Sequence, residues 1–250
     1  MAPKITKSLK AKLTKAGLPL LQQPKPLDFD EPHQKYHLAS GEQVYGATTY
    51  TSLIPKDLLS WVACVTRRGK NHDHIKKSAG RVGTATHHHL QRRTTGVKGS
   101  ESFSCTEEEA QQINIATKNA DAFWDSNKDK LFPIGCEVQL VSEKNKFGGT
   151  LDLVAIDEEG SVVLIDYKTS GKIYDDFFYQ QSAYANLWAE HYPSFPIDKV
   201  MLVRIGKKKP EDVETETRLA STLTRYWDVF LKLLALGREL EAHKNERTSK

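Results

Sequence analysis

The chain has 250 residues, 38% hydrophobic and 27% charged, which gives room for one large domain or one domain with an appended arm and excludes wholesale disorder. No apolar run is long enough to span a bilayer, and no continuous apolar stretch near the start marks a signal peptide, so neither membrane insertion nor secretion is expected. The net charge of +4 permits a polyanionic partner without demanding one, while three scattered cysteines, Cys64, Cys105 and Cys136, form no C-x-x-C pair and point to a reducing compartment without a zinc knuckle or iron–sulfur cluster.

The first segment is biased. Lys4, Lys7, Lys10, Lys12, Lys15 and Lys25 all precede the first acid, Asp28, and Pro19, Pro24, Pro26 and Pro32 discourage regular structure. Residues 1–44 read as a basic, poorly packed arm with one short helix: a solvated tail, an arm that touches phosphates, or a transit peptide, the last weakened by the lack of arginine. Ordered structure is expected from about residue 45 to 245. Pro55 suits the first turn of a helix that carries Leu58, Leu59, Val62 and Val65 inward. A glycine-marked turn in "GRVGTATHHHLQRR" then leads into a second helix. Thr106 and Glu109 form a capping box that opens a third, with Ala110, Ile113, Ala116, Ala120 and Phe123 on one face.

The period then changes from helix to strand. "GCEVQLVSEKNKFGGTLDLVAIDEEGSVVLIDYKTS" holds three apolar, β-branched runs separated by polar turns at 143–146 and 157–160. They read as an antiparallel meander whose last strand is central and buried. A helix at "FFYQQSAYANLWAEHY", a strand at "KVMLVRIGK" and a long C-terminal helix complete an α/β layer architecture.

Alternation along the last meander strand puts Asp166 and Lys168 on one side and Tyr167 on the other. The turn around Glu158 and Gly160 folds the preceding strand back, so Asp152 comes close to Asp166 at the sheet end. Adjacent carboxylates resist joint ionisation. A hard divalent cation such as Mg2+ or Mn2+ resolves that conflict, and a neighbouring lysine can position a water or stabilise charge on a phosphate. A surface Asp–Lys pair is the bland alternative for the triplet alone. The apolar run before it, and Gly148 and Gly149 one hairpin upstream, favour the site. No G-x-S-x-G elbow surrounds any serine, and Trp61, Trp124, Trp188 and Trp227 read as core residues of amphipathic helices. Three consecutive histidines, His87 to His89, point in three directions on a helix, so one is expected to be functional and two are not.

On these residues the segment "GGTLDLVAIDEEGSVVLIDYKTS" resembles the core of the PD-(D/E)XK nuclease superfamily, in its RecB-like exonuclease branch, as in phage-type or mitochondrial-type single-domain exonucleases. Gln180 and Tyr184 match a downstream Q-x-x-x-Y, and Gly83, Thr84 and His87 match an upstream G-T-x-x-H. The resemblance implies a restriction-endonuclease-like core, a small mixed β-sheet flanked by helices. It implies that Asp152, Asp166 and Lys168 are catalytic, and that His87, Asp152, Asp166 and the carbonyl of Tyr167 hold the metal. Gln180 and Tyr184 would organise the site or touch the strand, and Glu137 is an additional candidate that reads equally well as an exposed strand acid. The implied activity is Mg2+- or Mn2+-dependent exonuclease action on DNA with a free end, in recombination, repair or DNA turnover. Expected partners are DNA and a recombination protein or further copies of the chain. The implied compartment is the bacterial or phage-infected cytoplasm, with the mitochondrion as the alternative. An endonuclease of the same superfamily and a non-catalytic DNA-binding module on a nuclease fold are the rival readings.

Overall fold

The computed structural model describes residues 6–29, 35–55, 59–69, 71–97 and 104–248. It begins with helix α1 (Lys7–Lys15), strands β1 (Leu20–Leu21), β2 (Tyr36–His37) and β3 (Gln43–Val44), and helices α2 (Ala47–Thr51), α3 (Leu59–Arg67), α4 (His72–Thr95) and α5 (Glu107–Asn127). Strands β4 (Phe132–Ser142), β5 (Phe147–Ile156) and β6 (Val162–Lys168) follow. Helix α6 (Phe177–His191), strands β7 (Lys199–Ile205) and β8 (Val213–Leu219), a 3-10 turn and helix α7 (Thr224–Thr248) end the chain.

Six strands make one mixed sheet in the order β1-β4-β5-β6-β7-β8. The β4–β5–β6 meander is antiparallel, and β6 pairs parallel with β7 through the α6 crossover. This is the α/β layer arrangement expected of a restriction-endonuclease-like core. Six of the seven β6 residues are buried, as a strand covered on both faces requires. One face packs on α6 and α7 through Leu151, Val154, Leu164, Phe178, Leu187 and Phe230. The other packs on α4 and α5 through Leu90, Phe123, Leu153, Ala155 and Ile165.

Several expectations are corrected. Among the described residues, the N-terminal segment is anchored to the core rather than loosely attached. Leu13 and Leu18 are 2% and 4% exposed and belong to the α6-side core, and β1 extends the sheet by pairing parallel with β4 at Gly135 and Cys136. Each such leucine contributes about 1.5–3 kcal/mol, which one apolar residue per helical turn supplies despite the lysines around it. No turn breaks α4. Gly80 and Gly83 lie within a continuous 24-residue helix, each at a cost near 1 kcal/mol relative to alanine. At Gly83 a Cβ would stand 3.2 Å from Thr169 Oγ1, so the missing side chain is what lets α4 approach the end of β6. Ala110 is exposed although Ile113, Ala116, Ala120 and Phe123 are buried. The Thr106–Glu109 capping box is present in both directions. Strand β8 was not foreseen: its "VETETRL" buries no residue fully, as suits a charged edge strand. Leu58 lies outside the described residues, as do the side chains of Leu59 and Trp61. Trp124 and Trp188 are core residues.

Candidate active site

The two meander acids owe their meeting to an irregularity that both strands share. Along a regular strand, residues on one face are an even number apart. Leu151 and Val154 are three apart yet pack in the same core, and Leu153 packs in the other. Strand β5 therefore changes face at Leu151–Asp152. Opposite it, Cys136 and Val138 are two apart yet fall in different cores, so β4 changes face too. Cys136 pairs with Leu153 and Val138 with Leu151, which leaves Glu137 facing Asp152 across the break. Glu137 holds φ 51°, a left-handed conformation costly for a residue with a Cβ and common at functional positions.

Three groups converge here. Single ligand atoms of His87, Glu137 and Asp152 all lie within 4.8 Å of one another. His87 Nδ1 is 3.4 Å from Asp152 Oδ2, and the backbone N–H of Tyr167 donates to the same oxygen at 2.8 Å. That amide ties β5 to β6 beyond their last regular pair. The His87 side chain keeps 31% of its surface exposed, toward a groove of about 920 Å³ that Glu137 and Thr84 also line. Its ring meets the buried Tyr167 ring edge-on at 6.2 Å.

Asp166 and Lys168 stand on the α6 side. Asp166 is 2% exposed. Its Oδ2 lies 2.6 Å from Lys168 Nζ without the alignment of a hydrogen bond. Lys168 donates to Gln180 Oε1 at 2.9 Å, and Gln180 Nε2 donates to Tyr184 Oη at 2.8 Å. Gln180 and Tyr184 are four apart on α6 and so stack on one helical face. Gly149 makes room for the chain of contacts: a Cβ there would stand 2.5 Å from the Tyr184 ring.

The electrostatics follow from crowding. Burial raises Glu137, the Asp152 charge adds to it, and the carboxyl reaches about 8. Burial opposes the His87 imidazolium, but the Asp152 carboxylate outweighs it and lifts His87 to about 9. Burial also works against the Asp152 carboxylate, yet His87, Lys168 and the Tyr167 amide bring it below its ordinary value. Asp166 moves up, through burial first and the Asp152 charge, with Lys168 opposing. Three carboxyl groups thus share one imidazole and one ammonium, and a buried Asp166 oxygen has no hydrogen bond. The imidazole of His87 and the carboxyl groups of Glu137 and Asp152, with buried Asp166 beside them, are the nitrogen and oxygen donors that fit a hard divalent cation, whose charge would hold them deprotonated.

Every residue named from the sequence comes to this sheet end. Glu137 sits inside the cluster, on a strand irregularity that no periodic pattern announces. Tyr167 contributes its amide to Asp152 and its ring to the α5-side core. The other histidines have different partners: His88 Nε2 is 2.8 Å from Lys25 O, and His89 Nε2 is 2.8 Å from Asp121 Oδ1. What sequence reasoning missed is the N-terminal wall of the groove, residues 20–28, since nothing in a lysine- and proline-rich stretch signals pairing with a distant strand.

Among solved structures, the chain resembles LHK-Exo in complex with dAMP, at 14% identity and TM-score 0.38 over 68% of this chain and 87% of that one. It also resembles a putative exonuclease from Eubacterium rectale, at 10% identity and TM-score 0.41 over 65% and 68%. No curated protein sequence matches. Among the described residues, no helix is long and apolar enough to cross a membrane. The model of one family covers residues 66–248 and with them the acids, the lysine, the histidine and the α6 pair, so the chain belongs to the PD-(D/E)XK nuclease superfamily, whose members are divalent-metal nucleases.

Proposed function

We propose that the chain is a metal-dependent deoxyribonuclease that acts as an exonuclease at DNA ends, in recombination, repair or DNA turnover. The observation that carries this reading is the meeting of His87, Glu137 and Asp152 within 4.8 Å beside the Asp166–Lys168 pair.

In this reading Asp152 and Asp166, with His87 and Glu137, hold Mg2+ or Mn2+, and the Tyr167 main chain borders the same site. Such an ion, held by these residues, would offset the carboxylate charge and supply Lewis-acid chemistry toward a phosphate. The protein's own part is positioning. Lys168 has three N–H donors; Gln180 accepts from one of them, and Asp166 stands beside the ammonium as an ion-pair partner. A further N–H of the ammonium can be directed at a phosphate oxygen or an attacking water, where a fixed positive charge stabilises the charge that builds up. Tyr184 orients Gln180, and Gln180 fixes Lys168, so the α6 pair sets the lysine's direction rather than touching the reacting atoms. Asp152 fixes the His87 ring and the Tyr167 amide together.

The test is digestion of end-labelled linear DNA beside a closed circle, with magnesium or manganese added. Loss of the linear DNA with the circle intact is the expected result. A nicked circle would assign the chain to the endonucleases, and no cleavage of either would overturn the reading.

A further inference from the structure

The segment N-terminal to the family match builds one wall of the groove. Strand β1 pairs with Gly135 and Cys136, one residue short of Glu137, and Gln22 N continues the pairing to Cys136 O at 3.2 Å. Farther along, Gln91 Nε2 donates to Gln22 O at 3.0 Å, and His88 Nε2 is 2.8 Å from Lys25 O. The Arg81 guanidinium lies 4.0 Å over the Phe29 ring. Residues 20–28 are thus fastened to α4 and β4 along the groove that opens on His87 and Glu137.

Helix α1 leads directly into that wall. It is N-capped by Thr6 and seated by Leu13. At 100° per residue, Leu9 and Leu13 mark its inward arc, Lys7 and Lys15 point away from it, and Lys10 and Lys12 stand on the two flanks. All four lysines are exposed. No acid occurs before Asp28, so no carboxylate on the same segment offsets them. Leu20, the start of the groove wall, lies five residues after Lys15, which bounds the Cα distance at about 18 Å. That reach corresponds to on the order of five nucleotides of stacked strand.

We propose that α1 is a nucleic-acid docking surface, on which its exposed lysines bind the sugar–phosphate backbone of the strand beyond the groove that opens on the active site. The proposal rests on the nuclease reading above and adds where the substrate outside the active site is held. An ordered helix anchored by buried leucines holds its cations in place without the ordering cost that a flexible arm would meet on binding. The contacts are to phosphate, so they supply affinity without sequence preference.

The test compares wild type with a variant in which Lys7, Lys10, Lys12 and Lys15 are all glutamine, and with one in which all four are arginine. Binding to a single-stranded oligonucleotide of about twenty nucleotides, several times the reach estimated above, is titrated over a salt series. Turnover is measured on the p-nitrophenyl ester of thymidine 5′-monophosphate, which is too short to reach α1. The glutamine variant is expected to bind the oligonucleotide at least tenfold more weakly. Its salt slope should be shallower by about 0.7 for each lysine that meets a phosphate. Its turnover of the ester should equal wild type, and the arginine variant should bind the oligonucleotide normally. Unchanged oligonucleotide affinity and slope in the glutamine variant would overturn the proposal. So would a loss confined to anionic phosphatidylserine vesicles, which would make α1 a membrane-surface helix. Failure of the wild type itself to cleave either the ester or DNA would instead overturn the nuclease reading.

Discussion

The β5–β6 hairpin carries acids at both ends, and the two ends treat them differently. At the turn, Asp157 Oδ1 accepts from the amides of Glu159 at 3.0 Å and Ser161 at 2.8 Å, and Oδ2 accepts from Lys199 Nζ at 2.8 Å. Burial works against this carboxylate, but Lys199 and the two amides outweigh it and hold it below the usual range. At the open end, Asp152, Asp166 and Glu137 lie close to one another, and Glu137 and Asp166 are pushed up. A carboxylate surrounded by donors fixes a turn. Three carboxyl groups that share one imidazole and one ammonium leave Asp152 lowered but Glu137 and Asp166 raised, and a divalent cation would relieve the two that are raised.

Substitutions at the open end should produce the largest effects. Asp152→Asn and Asp166→Asn are each expected to reduce cleavage of end-labelled DNA to background. Each should also weaken manganese binding in calorimetric titration, because the amide keeps the shape and removes the charge. Unchanged metal affinity in both variants would erase the distinction between the two ends. Lys168→Ala is expected to lower turnover by roughly 10²–10⁴-fold while leaving DNA affinity within about twofold, since one cation adds little to a surface with many. Near-normal turnover would remove Lys168 from the chemistry.

A finer comparison lies within the histidine triplet. His87→Ala is expected to weaken metal-dependent cleavage by roughly 10–100-fold. His88→Ala and His89→Ala should be mild, because their rings contact Lys25 O and Asp121 rather than the acids. An inactive His88→Ala or His89→Ala beside a normal His87→Ala would reassign the ligand.

The smallest effect is expected at the turn. Asp157→Ala should leave cleavage intact and cost about 1–2 kcal/mol of stability. The sign of its pH dependence follows from the lowered carboxyl. Its contribution is fully present above the unfolded value, about 3.9, and is lost as pH falls through the lower folded value. Thermal melts should therefore separate wild type from Asp157→Ala at about pH 7 and bring them together toward about pH 2. A constant gap across that range would mean the turn is held by something other than this charge.

Much of the meander was legible because its signals are local. "VVLIDYK" reads as a buried strand from its run of β-branched residues, and alternation alone separates Asp166 and Lys168 from Tyr167. Thr106 and Glu109 announce a helix start through contacts three residues apart. Gln180 and Tyr184 share a helical face by spacing, and the structure adds that this face meets Lys168.

Other features depend on partners distant in sequence. The place of Glu137 depends on β4 and β5 changing face together, and a period-2 pattern read along either strand alone cannot show a paired irregularity. The continuity of α4 through Gly80 and Gly83 runs against local propensity, and its close approach to Thr169 appears only when β6 is in place. The N-terminal segment gives the plainest division. Its composition fixed a basic surface, because lysine at four of nine α1 positions leaves little choice of what faces water. Only the tertiary structure decided that Leu13 and Leu18 enter the core and that Leu20 and Leu21 pair beside Glu137, since burial and strand pairing are set by surfaces more than a hundred residues away in the chain.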